Sequence, residues 1–159
     1  MVITLSDRAS QGVYEDKSGP RVIKLMEDYF KHLVWQNEIY HNIIPDDGKS
    51  LLKLLKEAVS GRYDFVITTG GTGIGPRDIT PEVVRSVIEK EIPGIMEMIR
   101  MKYGAEKPNA LLSRSVAGVA GKTLIYALPG SVKAVNEYMA EISRTLKHAL
   151  YMLHGLDAH

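Results

Sequence analysis

Two rhythms of apolar residues alternate along the chain. Val2 to Leu5 is a short apolar run that ends in the polar Ser6-Asp7-Arg8, and from Arg21 to Leu33 the positions Val22, Leu25, Met26, Tyr29 and Leu33 recur at helical spacing. The pair reads as strand, polar loop, helix. Ile39 to Ile44 predicts a second strand ending in Pro45-Asp46-Asp47-Gly48, after which Leu51, Leu52, Leu54, Leu55, Ala58 and Val59 form a helical stripe. Phe65 to Thr68 predicts a third strand, and the glycine-rich Thr69 to Asp78 a loop. Thr80 then reads as a helix N-cap, with Pro81 at the first helical position, Glu82 in the first turn and a helix running through Lys90.

In the second half, Pro93 can open a helix carrying Ile95, Met96, Met98, Ile99 and Met101, and Gly104 to Asn109 reads as a polar break. Residues 111–120 and 122–128 read as extended segments around Gly121. Val132, Val135, Met139, Ile142, Leu146, Ala149 and Leu153 then mark a long final helix. Strands alternating with helices imply a three-layer α/β fold, a mostly parallel sheet with helices on both faces. Ligands of such sheets sit beyond the carboxyl ends of the strands, so Ser6-Asp7-Arg8, Pro45-Asp46-Asp47, the 69–78 loop and Pro129-Gly130-Ser131 should share one edge. Four residues is short for a central first strand, which suggests that residues preceding Met1 are missing from the sequence.

Length and composition narrow the class. The chain has 159 residues, 45% of them hydrophobic and 25% charged, and shows no linker, low-complexity tract or repeat, so residues 1–159 read as one domain. It lacks cysteine, which removes disulfides, thiolate nucleophiles and the usual structural zinc site. A formal charge of +1 provides no overall field for nucleic acid or an anionic membrane. With no transmembrane-length apolar run and no export signal, a cytoplasmic protein is expected. The histidines at 32, 41, 148, 154 and 159 have no metal-ligand spacing, and the methionine-rich 96–101 segment reads as core or subunit contact.

The candidate chemistry is concentrated in Thr68 to Glu82, TTGGTGIGPRDITPE, directly after a strand. Its four glycines let backbone N–H groups approach an anion, which suits a phosphate cradle at Thr69, Gly70, Gly71, Thr72 and Gly73. Asp78 would repel that phosphate unless a cation such as Mg²⁺ joined them. The dinucleotide fingerprint fails, because Pro76 occupies its third glycine position. The P-loop pattern fails too, because Pro76 and Arg77 stand where lysine and a hydroxyl belong. A purely structural turn is the alternative. Asp46 and Asp78 should lie at the ends of neighbouring strands, where two carboxylates about 4 Å apart would repel by about 4 kcal/mol at an effective dielectric of 20 and so favour a shared cation. Singly, Asp46 also suits a turn after Pro45, and Asp78 a helix-positioning role. Arg8 or Arg114 could pair with phosphate, and the helix after Ser131 offers free N–H groups.

Five segments, SDRASQGVYEDKSGP (6–20), IIPDD (43–47), TTGGTGIGPRDITPE (68–82), LLSRSVAG (111–118) and LPG (128–130), resemble the MogA-type molybdopterin adenylyltransferases from Val2 to about Leu153. Val132 departs from the proline that many relatives have two residues after the glycine. The resemblance implies a Rossmann-like molybdopterin-binding fold and transfer of AMP from Mg-ATP to the molybdopterin phosphate with release of pyrophosphate. By motif it implies Asp46 and Asp78 as metal and catalytic carboxylates. It also implies that Thr69 to Gly73 cradle phosphates and that Ser6, Asp7, Ser113, Ser115, Pro129, Gly130 and Ser131 shape the pockets. A homotrimer and a molybdate-inserting partner enzyme are expected on the same ground. The alternative is a molybdopterin-binding or carrier module without catalysis.

Overall fold

Six strands form one sheet in the order β2-β1-β3-β6-β5-β4 in the computed structural model, which describes residues 1–156; His159 lies outside them. Strands β1 (Val2–Leu5), β2 (His41–Ile44), β3 (Phe65–Thr69) and β6 (Thr123–Leu128) run parallel. β5 (Val116–Ala120) is antiparallel to β6, and the two-residue β4 (Lys90–Glu91) pairs antiparallel with β5 at the edge. The register matches Leu5 with Ile44, Thr4 with Thr69, and Thr69 with Leu128, so four carboxyl ends line up on one edge. Because Val116 pairs with Ala127, the start of β5 reaches that edge too.

Side chains of a strand alternate between faces, and here they feed two cores. Val2, Phe65, Ile67, Leu124, Tyr126 and Leu128 pack beneath α2 (Ser18–Leu33), α5 (Pro93–Glu106) and α6 (Val132–His154), through Val22, Met26, Phe30, Met96, Ile99, Val135, Met139 and Ile142. Ile3, Leu5, Val66, Ile125 and Ala127 face α3 (Gly48–Ser60) and α4 (Thr80–Arg85), through Leu51, Leu55, Ala58 and Val84. Both faces are therefore covered, as expected for the α/β class. Among the described residues, no helix is long and apolar enough to cross a membrane.

Several boundaries differ from the sequence reading. The segment expected to remain helical through Lys90 leaves the helix at Arg85. Ser86 donates its hydroxyl to the Val83 carbonyl, and Glu89 and Ile92 N–H donate to the Val119 and Ala117 carbonyls. Covering the sheet edge outweighs local helix preference there. Thr80 is the first helical residue, not the cap: its hydroxyl donates to the Gly70 carbonyl at 2.9 Å. Ser6-Asp7-Arg8 is not plain loop, because Ser6 caps a one-turn helix α1 (Asp7–Ser10) by accepting from Ala9 N–H. Of residues 111–120 only Val116 onward is strand, since Pro108–Leu112 winds into a 3-10 turn whose Leu111 packs against Gly104. That packing carries α5 past the expected break at Gly104 to Glu106. α2 begins at Ser18, three residues before the expected start at Arg21.

Candidate active site

The glycine loop owes its path to two left-handed residues, Gly70 at φ 98° and Gly71 at φ 64°. A Cβ on Gly70 would collide with the Leu5 carbonyl, and one on Gly71 would lie 2.5 Å from Thr80 Oγ1 and 3.7 Å from Asp46 Oδ1. Only glycine fits either conformation without strain. Gly70 N–H donates to the Leu128 carbonyl at 3.0 Å, which fastens the loop to β6. Among the described residues no acceptor meets the N–H groups of Gly71, Thr72 or Gly73. Consecutive free N–H groups of this kind make an anion-binding concavity.

Arg114 holds the loop from outside. Its backbone N–H donates to the Thr72 carbonyl at 2.8 Å, Nε to Gly73 O at 2.7 Å and Nη2 to Asp78 O at 2.6 Å, while Nη1 pairs with Glu82. Each guanidinium nitrogen has a protein partner, two of them loop carbonyls and the third Glu82, so where the sequence suggested a phosphate partner the structure has a clamp that turns loop carbonyls outward. Ser113 and Ser115 flank it, hydroxyl to hydroxyl at 2.8 Å.

The carboxylates gather around the ends of β1 and β2. Asp46 Oδ2 accepts from Asp7 N–H at 3.1 Å and Asp7 Oδ1 accepts from Asp46 N–H at 3.0 Å, a reciprocal bracket that joins the two strand ends. Arg77 Nη2 donates to both Asp7 oxygens, at 2.8 and 2.7 Å. Asp78 Oδ2 accepts from Gly75 N–H at 2.8 Å. β1 lies between β2 and β3, so Asp46 and Asp78 do not follow neighbouring strands as the sequence reading expected; Asp7 stands in the gap. Burial chiefly, together with the charges of Asp7 and Asp78, pushes the Asp46 carboxyl above its ordinary value. The hydrogen bond from Asp7 N–H and the charge of Arg77 oppose that rise.

Behind the edge, Asp16 anchors a buried polar network. Its Oδ1 accepts from Ser18 N–H, the Ser18 hydroxyl and Gly19 N–H at 2.9, 2.9 and 3.1 Å, and its Oδ2 accepts from the Thr4 hydroxyl at 2.7 Å. His41 Nε2 lies 3.2 Å from Oδ2. Burial alone would raise this carboxyl, but the hydrogen bonds from Thr4, Gly19 and Ser18 outweigh it and hold Asp16 below the usual carboxylate range. Thr69 is buried against this network, its hydroxyl 2.8 Å from that of Ser18, so it supports the loop from beneath.

A cleft of about 520 Å³ opens beside the loop, lined in part by Ser6, Arg8, Tyr14, Lys17, Gly130 and Ser131. Gly130 would touch the Gly70 Cα at 3.2 Å through a Cβ, so the cleft adjoins the glycine turn. Asp7, Asp46, Asp78, Ser113, Ser115 and Pro129 do not line it. Pro129 follows β6 at the same edge, and the Ser131 hydroxyl accepts from Ala134 N–H as the N-cap of α6. Of the expected residues, Asp7, Asp46 and Asp78 thus supply the carboxylates and Ser6, Gly130 and Ser131 line the cleft, while Thr69, Ser113, Ser115 and Pro129 belong to neither group. Arg77, Asp16 and Ser18 were missed as site residues; Arg77 stands directly before Asp78 in the glycine motif, and Asp16 and Ser18 lie in the SDRASQGVYEDKSGP segment.

The model of the family described as "Probable molybdopterin binding domain" matches residues 1–148. A molybdopterin adenylyltransferase of Helicobacter pylori is 37% identical over 158 residues, covering 97% of this chain and 86% of its own. The crystal structure of the tungsten cofactor synthesizing protein MoaB from Pyrococcus furiosus superposes with a TM-score of 0.85 at 36% identity, covering 96% of this chain and 94% of that one. Dictyostelium discoideum gephyrin is 34% identical over 160 residues, and the match spans 97% of this chain but 22% of gephyrin. With a family match along nearly its whole length and a glycine turn, carboxylates and cleft on one sheet edge, the chain belongs to the molybdopterin-binding domain family.

Proposed function

We propose that this protein is a molybdopterin adenylyltransferase, which transfers AMP from Mg-ATP to the terminal phosphate of molybdopterin. In the transfer a phosphate oxygen of molybdopterin bonds to the α-phosphorus of ATP, and the bond to the β-phosphate oxygen breaks, releasing pyrophosphate. The observation that carries the reading is the free N–H row of Gly71 to Gly73 set between Asp46 and Asp78. Full-length relatives named for this activity support it.

The attacking phosphate is already ionised near neutral pH, so the protein needs no general base and contributes alignment and charge neutralisation. Gly71, Thr72 and Gly73 donate N–H groups to phosphate oxygens, while Thr80 N–H holds the Gly71 carbonyl and Arg114 those of Thr72 and Gly73 turned away. The cleft by Ser6, Gly130 and Ser131 takes the rest of a substrate.

The donor set fits Mg²⁺. Among the described residues no group of three or more His, Asp or Glu side chains forms a metal cage. Mg²⁺ commonly takes one or two carboxylates and completes its shell with substrate phosphates and water, and Asp46 and Asp78 would hold it here. When bound, Mg²⁺ would neutralise phosphate charge as it develops.

ATP as substrate, a cytoplasmic location suited to a chain without cysteine, and hand-over of the adenylylated pterin to a molybdate-inserting enzyme belong to the same proposal. So does a homotrimer, favoured by the exposed Met98, Met101, Leu111 and Leu112 on α5 and the adjoining turn. Incubation with ATP, Mg²⁺ and molybdopterin should yield pyrophosphate and an AMP conjugate. Molybdopterin binding without either product would favour the carrier module.

A further inference from the structure

Two arginines serve the glycine loop, and they are held in opposite ways. Arg114 is 34% exposed and distributes its guanidinium over Gly73 O, Asp78 O and Glu82. Arg77 is 64% exposed and uses a single nitrogen, Nη2, on a single partner, Asp7; among the described residues Nε and Nη1 meet no acceptor. Its neighbours Ile74, Gly75 and Pro76 are exposed as well, so the arm can rotate without disturbing the core.

The charges around it do not balance. Asp46 feels the negative charges of Asp7 and Asp78 and the positive charge of Arg77. Three carboxylates against one guanidinium leave a deficit of two positive charges, the charge of one divalent cation. Once such a cation sits on Asp46 and Asp78, the pull on Arg77 falls. A polyphosphate then offers the guanidinium more charge and more acceptors than Asp7 does.

We propose that Arg77 is a mobile counter-ion of the carboxylate cluster, moving from Asp7 onto the phosphates of an incoming nucleotide when a divalent cation neutralises Asp46 and Asp78. This rests on the magnesium reading above. In the ligand-free protein Arg77 competes with the cation for the cluster; in the loaded protein it binds phosphate beside the free N–H groups of Gly71 to Gly73.

The test titrates wild type, Arg77→Gln, Arg77→Lys and Asp46→Asn with Mn²⁺, reading free Mn²⁺ by electron paramagnetic resonance, first alone and then with a non-hydrolysable ATP analogue. Without nucleotide, Arg77→Gln should bind Mn²⁺ about threefold tighter or more, because a competing charge has gone. With Mn²⁺ saturating, it should bind the analogue about tenfold more weakly, and Arg77→Lys should recover most of that loss. Unchanged or weaker Mn²⁺ binding by Arg77→Gln, or analogue affinity within about twofold of wild type, overturns the proposal. If wild type shows no Mn²⁺ binding that Asp46→Asn removes, the magnesium reading fails and this inference falls with it.

Discussion

Replacing Asp16 by alanine tests the framework that carries the whole edge. The substitution removes one acceptor from four donors, Thr4 Oγ, Ser18 N–H, Ser18 Oγ and Gly19 N–H, three of them at the start of α2. Loss of such a helix cap costs about 0.5–2 kcal/mol. Donors left unsatisfied in a buried place cost about 1–3 kcal/mol more, and the Asp16 side chain is only 5% exposed. The Ser18 hydroxyl keeps Thr69 as a partner, which limits the damage. The expected loss is therefore about 3 kcal/mol, or roughly 6–12 °C in Tm for a chain of this size. Urea unfolding at pH 7 measures it directly. A second arm uses pH. Because the folded-state carboxyl is held below its ordinary value, its contribution is fully present above the unfolded value of about 4 and fades as pH falls through the lower folded one. The gap between wild type and Asp16→Ala should thus be constant from neutral pH to about 5 and narrow in more acid solution. A gap under about 1 kcal/mol at pH 7, or one that widens on acidification, would refute the assignment.

Other perturbations address the loop and the carboxylates. Arg114→Gln should destabilise by about 2–4 kcal/mol in the same assay, mostly from two charged hydrogen bonds to carbonyls, since the exposed pair with Glu82 adds little. Gly71→Ala forces a side chain into left-handed backbone against Thr80 Oγ1, and thermal unfolding should show about 2–4 kcal/mol lost. Adding Mg²⁺ with an ATP analogue should raise the Tm of wild type but not of Asp46→Asn. Equal shifts would remove Asp46 from the metal shell. Asp78→Asn should lower kcat by about 10²-fold or more with little change in pterin affinity, measured by steady-state kinetics and fluorescence titration.

Much of the edge was legible because strand ends in a parallel sheet must meet there. Asp46, Asp7 and the glycine loop follow apolar runs whose order alone predicts a common edge. Arg77 was not legible, since nothing in its spacing says that it reaches back 70 residues to Asp7. Thr69 was read as part of a cradle, yet its hydroxyl points into the buried network, because whether a strand-end residue faces a ligand or the core depends on register. The helix expected through Lys90 ended at Arg85 for a related reason: Lys90–Glu91 becomes strand only by pairing with the distant β5, a contact that no local pattern around residue 90 announces.

Sequence by itself determined the layers. Apolar periodicity set which segments become strands and which become helices, and absent cysteine and near-neutral charge excluded whole classes of chemistry. Left-handed Gly70 and Gly71 made the turn possible. Tertiary structure alone decided the partners: β1 slipped between β2 and β3, so Asp7 stands between the two expected carboxylates, and Arg114 became a clamp while Arg77 paired with Asp7 alone. Periodicity is a local property governed by backbone geometry and burial. Hydrogen bonding and ion pairing across 39 to 70 residues depend on strand order and register, which only the packed sheet specifies.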